Sequence, residues 1–127
     1  LTGDPYNVSI LENRNLHVIA NRGSGFHSDK ANYLDDILKQ YNCTEKDTAY
    51  VGDDLFDIGI MKKVRYPVCM LDSPRIVKQT AKVLPVRGGE NVIMTLFDTF
   101  EIDGLLPCFS YDKVMDKIYE LDLKEKF

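Results

Sequence analysis

The chain has 127 residues, of which 44% are apolar and 28% charged, values typical of one globular domain with a buried core. Its net charge of −4 argues against a nucleic-acid-binding surface, which is usually basic. No apolar run approaches membrane-spanning length and no stretch reads as a signal peptide. Three scattered cysteines without a CxxC pair are typical of free thiols in a reducing compartment, so we expect a cytoplasmic protein. From the net charge and the lack of a long apolar run, we expect it to contact neither nucleic acid nor membrane.

The first part of the chain predicts two helices and a strand. Residues 4–12 predict a short helix because they begin with an Asp-Pro pair. Residues 16–20 are an apolar run typical of a buried strand. After a loop with two glycines, Ser28 or Asp29 caps a further predicted helix. Its apolar positions share one face: Ala31, Leu34, Ile37, Leu38 and Tyr41.

The next part continues this alternation of short strands and helices. It predicts a doubly wound, Rossmann-like α/β fold in which a parallel sheet carries helices on both faces. Ligands of such folds bind beyond the carboxyl ends of the strands. The strands are predicted at residues 48–51, 66–71 and 83–86, and the helices at residues 57–63, 73–82 and 90–97.

The pattern changes near Glu101. A loop with glycine and proline leads to Ser110, which can cap a last helix with Val114, Ile118 and Leu121 on one face. We therefore predict an α/β core at residues 1–100 and a C-terminal loop with an amphipathic helix at residues 101–127.

Three carboxylates follow the predicted strand at residues 48–51. Asp53, Asp54 and Asp57 lie within five positions and would repel one another without a compensating cation. Mg²⁺ is suited to this place, because it takes oxygen ligands and needs only one or two protein carboxylates beside a substrate phosphate. A turn in which Asp57 merely caps the next helix would explain one carboxylate but not three.

Three other places have groups that can bind an anion. Thr2 and Gly3 form a turn whose hydroxyl and backbone N–H groups can hold a phosphate oxygen. Lys30 lies in the first turn of its predicted helix, where its charge and the helix dipole can act on the same anion. Arg87 and Gly88 could present a guanidinium and an amide. Taken singly, each also fits an ordinary turn or a solvated side chain.

The order of these groups resembles the haloacid dehalogenase superfamily of phosphohydrolases. Thr2 matches its second motif, Lys30 its third, and residues 52–57 (Gly-Asp-Asp-Leu-Phe-Asp) its fourth. Three segments are most similar to the small, capless branch that includes 3-deoxy-manno-octulosonate 8-phosphate phosphatases: residues 49–64, residues 70–73 and the Arg-Gly-Gly turn at residues 87–89. The resemblance covers residues 1–97.

The resemblance implies a Mg²⁺-dependent phosphatase of a small phosphorylated sugar acid that works through an aspartyl-phosphate. Asp53 and Asp57 would be the metal ligands, and Asp54 would support these ligands without binding the metal itself. Thr2 and Lys30 would bind and stabilise the transferring phosphoryl group, and Gly3, Arg87 and Gly88 would contact the substrate. In the capless branch a neighbouring subunit covers the site, so the resemblance also implies a homo-oligomer, a tetramer.

One part of the family pattern has no match. The first motif, Asp-x-Asp, supplies the nucleophile and precedes the threonine motif, but nothing precedes Leu1. Residues 97–100 lack the second carboxylate of that motif, and residues 101–104 begin with Glu in place of the first. We therefore expect a fragment that is inactive by itself and lacks the first strand of its sheet.

Two alternatives remain open. A similar domain serves oligomerisation in cytidylyltransferases that activate sialic acids, and loss of the first motif would suit that role. A phospho-receiver domain also combines an acidic cluster, Thr and Lys on a doubly wound sheet, but there the acidic pair comes first along the chain and the Lys last.

Overall fold

The computed structural model describes Ser9, residues 12–14, Leu16, residues 30–108 and residues 110–126. The helix predicted at residues 4–12, apart from a few of its positions, and the strand predicted at residues 16–20, apart from Leu16, lie outside this part. So do the predicted caps Ser28 and Asp29. The chain divides into two compact units, Leu1–Glu90 and Asn91–Phe127. The boundary predicted at residue 100 stays a prediction.

The helical segment at residues 30–40 begins as a tight turn. A 3₁₀ turn at Lys30–Tyr33 runs into helix α1 at Leu34–Gln40. Its predicted apolar face is confirmed at Leu34 and Leu38, which are buried in one cluster with Ile60 and Val64. Tyr41 is 56% exposed, because α1 ends one residue before it.

Three short parallel strands form the sheet of the described residues, in the order β1-β2-β3. They are β1 at Ala49–Val51, β2 at Tyr66–Cys69 and β3 at Lys82–Val83. Ala49 is paired with Tyr66, and Val68 with Lys82. The predicted parallel α/β fold is thereby confirmed. Strand β3 ends earlier than predicted, and Pro85 near its end has no N–H to donate to a ladder.

Short helices connect these strands. A 3₁₀ turn at Leu55–Asp57 leads into α2 at Ile58–Met61, and α3 spans Arg75–Lys78. A second buried cluster joins these helices to β2, with Met61, Cys69 and Val77 at its centre. Helix α3 is shorter than predicted because the chain must already enter β3 at Lys82.

The second unit consists of two helices. Helix α4 spans Val92–Ile102 and so continues past the predicted end at residue 97. Within it, the partly buried Thr99 hydroxyl donates to the Thr95 carbonyl at 2.7 Å. Helix α5 spans Tyr111–Lys126, and the backbone N–H of Lys113 donates to the Ser110 hydroxyl at 3.4 Å. The last predicted helix is thus confirmed. No helix in the described part of the chain is both long and apolar enough to cross a membrane.

Candidate functional site

The acidic segment follows β1 directly, at the carboxyl end of a parallel strand. The Gly52 amide still donates to the Val68 carbonyl at 3.0 Å, so the loop leaves the sheet only after Gly52. Asp53 and Asp54 follow in the loop, and Asp57 closes the 3₁₀ turn before α2. This is the edge at which α/β folds bind ligands.

Asp57 is the centre of the site. Its side chain is only 1% exposed, and four donors meet its two carboxylate oxygens. Oδ1 accepts hydrogen bonds from Lys30 Nζ and the Tyr50 hydroxyl, each at 2.7 Å. Oδ2 accepts from the backbone N–H groups of Asp53 and Asp54, each at 2.9 Å. A carboxylate offers about four lone-pair positions, so this one is fully used.

These contacts keep Asp57 ionised. Burial by itself raises the pKa of the Asp57 carboxyl, but the hydrogen bonds from Lys30, Tyr50 and the Asp54 amide, with the charge of Lys30, outweigh it and lower the pKa. Burial, the hydrogen bond to Asp57 and the neighbouring carboxylates raise the pKa of Tyr50. At neutral pH, Tyr50 is therefore a donor and Asp57 an acceptor.

Gly52 is needed because Asp57 folds back over it. A Cβ at position 52 would lie 2.6 Å from both Cγ and Oδ2 of Asp57, closer than real side chains approach. Asp57 has no space to retreat, because it is buried and held by four hydrogen bonds. The Gly-Asp-Asp-x-x-Asp spacing thus has a steric reason as well as an electrostatic one.

Asp53 and Asp54 differ in what their carboxylates do. Asp54 Oδ1 accepts from the Phe56 amide at 3.1 Å, and Asp54 with Asp57 forms a capping box for the 3₁₀ turn. The Asp53 side chain is exposed, and within the described part of the chain no donor is recorded for its carboxylate. Asp53 is therefore the carboxylate of the three with both oxygens available to a cation, whereas Asp54 already uses Oδ1 in its cap.

Lys30 joins this group from the start of the 3₁₀ turn that precedes α1. Its side chain is 25% exposed, so solvent reaches an ammonium that is paired with a buried carboxylate. An ammonium has three donors, and Asp57 accepts one of them. The structure thus brings Lys30, Asp53, Asp54 and Asp57 together, although 27 positions separate Lys30 from Asp57.

The Arg-Gly-Gly turn makes a different contact. The Gly88 amide donates to Asp72 Oδ1 at 2.9 Å, and this bond is the first cause that lowers the pKa of the Asp72 carboxyl. Arg87 is exposed. Within the described residues, no hydrogen bond or ion pair joins this turn to Asp57. Thr2 and Gly3 lie outside the described residues, so their predicted roles stay predictions.

Among the residues that the structure describes, no three His, Cys, Asp or Glu side chains are grouped as metal ligands. The exposed Asp53 carboxylate nevertheless fits Mg²⁺, which keeps several waters and uses one or two carboxylates with substrate phosphate oxygens. Asp57, predicted as a second ligand, would have to give up an existing hydrogen bond to bind a cation.

Comparison with known proteins decides the family. Residues 13–92, more than half of the chain, match the family of haloacid dehalogenase-like hydrolases. The chain belongs to this family. The resemblance inferred from Lys30 and the Gly-Asp-Asp-x-x-Asp segment is thereby confirmed, and haloacid dehalogenase membership leaves the phospho-receiver alternative without support.

Two similar relatives are phosphatases of the same name. The 3-deoxy-D-manno-octulosonate 8-phosphate phosphatase of Escherichia coli K12 is 27% identical over 107 residues, covering 77% of this chain and 56% of that protein. The Yersinia pestis phosphatase of the same name is 25% identical over 100 residues, covering 72% and 54%. The chain therefore spans about half the length of the curated relatives it matches.

Solved structures agree with the fold. The cobalt-bound deoxy-D-mannose-octulosonate 8-phosphate phosphatase of Haemophilus influenzae superposes with a TM-score of 0.66 at 22% identity, over 77% of this chain and 56% of that one. The Yersinia pestis 3-deoxy-D-manno-octulosonate 8-phosphate phosphatase superposes with a TM-score of 0.63 at 25% identity, over 73% and 51%.

Sequence reasoning missed Tyr50 in the site. Tyr50 lies in β1, where an aromatic residue is ordinarily read as packing. Its separation of seven positions from Asp57 gives no local signal. The turn between them folds the chain back, and only that geometry shows that the hydroxyl reaches the carboxylate.

Proposed function

We propose that the protein is a Mg²⁺-dependent phosphatase that hydrolyses a small phosphorylated sugar acid. The observation that carries this proposal is the Lys30–Asp57 pair beside the exposed carboxylate of Asp53, at the carboxyl end of β1. A fixed ammonium next to a carboxylate that can hold a cation suits phosphoryl transfer, where catalysis consists mostly of positioning and charge stabilisation.

Each residue has a distinct role in this proposal. Lys30 donates its remaining N–H groups to the phosphoryl oxygens, while Asp57 holds the ammonium in place. Asp53 would hold Mg²⁺, which when bound neutralises charge on those oxygens. Asp54 shapes the loop through its cap. We assign Asp57 to positioning and no longer to metal binding, because its lone pairs are already used.

The remaining predicted contacts belong to the same proposal. Thr2 and Gly3 would hold a phosphoryl oxygen through the hydroxyl and the backbone amide. The Arg87 guanidinium would meet the carboxylate of the sugar acid, while the Gly88 amide holds the turn to Asp72. The carboxylate of the family's first motif would attack phosphorus and release the sugar alcohol, and water would then hydrolyse the aspartyl-phosphate to inorganic phosphate and the free carboxylate.

We also propose that the protein is a cytoplasmic homo-oligomer. Cys43, Cys69 and Cys108 are free thiols, which supports a reducing compartment.

Helix α5 supplies an argument for self-association. Tyr111, Val114, Ile118 and Leu121 recur at intervals of three and four residues, and all are exposed. Ile118 and Leu121 then occupy the a and d positions that favour parallel two-stranded pairing.

The charges beside this seam fit a second copy of the chain. Lys117 falls at a g position and Asp122 at the following e position, so a parallel pair places Lys117 of each copy opposite Asp122 of the other. An antiparallel pair would instead place Lys117 opposite Lys124. We therefore expect parallel pairing of α5 as one contact of the oligomer.

The proposed function is tested with the protein at its natural length. Wild type and Asp53→Asn are assayed for release of phosphate from sugar-acid phosphates and from matched neutral sugar phosphates, with Mg²⁺ and with a chelator. Asp116→Asn on α5 is the control with the same change of charge.

We expect Mg²⁺-dependent turnover that prefers the sugar acids and falls about 100-fold in Asp53→Asn. Asp116→Asn should retain wild-type activity. If wild type were inactive while oligomeric, the sialic-acid-activating oligomerisation module would be the better interpretation. Full activity in Asp53→Asn would remove Asp53 from the site.

A further inference from the structure

Two donors share a single carboxylate oxygen in this site. Oδ1 of Asp57 lies 2.7 Å from Lys30 Nζ and 2.7 Å from the Tyr50 hydroxyl oxygen. The other oxygen is occupied by two backbone amides. The Tyr50 hydroxyl is therefore the one side-chain donor, among the described residues, that shares Asp57 with Lys30.

The Tyr50 ring is fixed by packing on two sides. It lies against the cluster of Leu34, Leu38, Ile60 and Val64, and also against the cluster of Met61, Cys69 and Val77. Because its ring contacts both clusters, the position of its hydroxyl is set by the core and not by the loop. The hydroxyl thus fixes Asp57 from the side of the sheet.

We propose that Tyr50 is a positioning residue that controls how much of the Lys30 ammonium is available to a phosphoryl group. This inference deepens the proposed function and rests on it. By donating a hydrogen bond to Oδ1, the Tyr50 hydroxyl offsets part of the negative charge that would otherwise attract the Lys30 ammonium. Lys30 then stays next to Asp57 but keeps its other donors directed at the ligand.

Removal of the Tyr50 hydroxyl should weaken the binding of phosphate. In Tyr50→Phe, Lys30 becomes the sole side-chain donor to Oδ1, so the ammonium pairs more closely with Asp57 and less with a phosphate oxygen. The carboxylate also loses one of its four fixed points. Both effects weaken phosphate binding, while the phenyl ring keeps its contacts with the two clusters.

The experiment measures binding of inorganic phosphate by calorimetry in the presence of Mg²⁺, which requires no turnover. The proteins are wild type, Tyr50→Phe, Lys30→Met and the double variant. Tyr66→Phe is the matched control, because Tyr66 is a partly buried tyrosine on the neighbouring strand. KM and kcat with a sugar-acid phosphate are measured in parallel.

We expect the phosphate Kd of Tyr50→Phe to rise about three- to tenfold, with KM rising in step. Tyr66→Phe should match wild type. In the Lys30→Met background, Tyr50→Phe should change the Kd no further, since the ammonium through which Tyr50 acts is gone. A merely structural tyrosine would lower the folded fraction and leave the Kd unchanged.

Two results would overturn the role of Tyr50. One is an unchanged Kd in Tyr50→Phe, and the other is an equal rise of Kd with and without Lys30. Failure of the proposed function gives a different pattern. The phosphate Kd values of wild type and the three variants then change as expected, but wild type hydrolyses no phosphate ester. A wild type that binds no phosphate overturns both.

Discussion

Asp57 lies so close to Gly52 that the backbone at position 52 has no room for a Cβ, which would be 2.6 Å from Asp57 Cγ. The glycine that ends β1 and the carboxylate that anchors the following turn therefore depend on each other. Neither can change without moving the ammonium of Lys30 that Asp57 holds.

Replacement of Gly52 should reveal this dependence. In Gly52→Ala the new methyl group must displace a buried carboxylate that has four hydrogen bonds, so we expect the free energy of unfolding to fall by about 1–3 kcal/mol. Gly88→Ala is the control, because a Cβ there would meet Asp72 Oδ2 at an ordinary 3.6 Å. Urea denaturation followed by circular dichroism measures both. Equal stability of the two variants would contradict the close approach.

Loss of the Lys30–Asp57 ion pair should lower the free energy of unfolding, and a second substitution should restore part of it. Lys30→Met leaves a buried carboxylate without its cation, and we expect the free energy of unfolding to fall by about 1.5–3 kcal/mol. Asp57→Asn in the same protein removes the uncompensated charge, so the double variant should lose less stability than the two single losses added together. Denaturation of all four proteins gives this coupling energy. Strict additivity would mean that the pair contributes nothing.

The Asp72–Gly88 contact predicts a pH dependence of stability. The Gly88 amide, with the charges of Arg87 and Lys78, lowers the pKa of Asp72 below its ordinary 3.8. A carboxyl whose pKa is lower in the folded state adds stability above its unfolded pKa and loses it as the pH falls through the folded pKa.

Asp72→Asn should therefore be less stable than wild type at pH 7, and the difference should shrink progressively below about pH 4. Urea denaturation at pH 7, 5, 4 and 3 measures this difference. Asp116→Asn, on the exposed α5, should differ little from wild type at pH 7. A difference that grew towards acid would show that the sign of the shift is wrong.

Parallel pairing of α5 is tested by exchanging charges. Lys117→Glu and Asp122→Lys should each raise the dissociation constant of the oligomer about three- to tenfold, because each converts two attractive pairs into repulsive ones. The double exchange should restore wild-type association. Lys113→Glu with Asp116→Lys is the control, since both positions face away from the seam.

Sedimentation equilibrium over a range of concentrations gives the masses, and circular dichroism checks that α5 stays helical. Association that ignores these exchanges would show that the seam of Ile118 and Leu121 is not the contact.

The sequence predicts those features of the site that are local in the chain. The strand before Gly52, the carboxylates after it and the apolar face of α1 follow from periodicity and composition, and the structure has them. Asp57 could not be assigned to positioning in the same way. Its partners Lys30 and Tyr50 are brought to it by tertiary packing, over separations of 27 and seven positions. The predicted end of β3 is wrong because the strand has only two residues, which is too short for a periodic sequence pattern.

The capping box of Asp54 and Asp57 has a consequence for the thermodynamics of recognition. The amides of Asp53 and Asp54 already donate to the buried carboxylate, so the loop after β1 reaches its working shape during folding. A ligand that arrives there does not have to immobilise this backbone, and the entropy loss of binding falls mainly on the ligand itself.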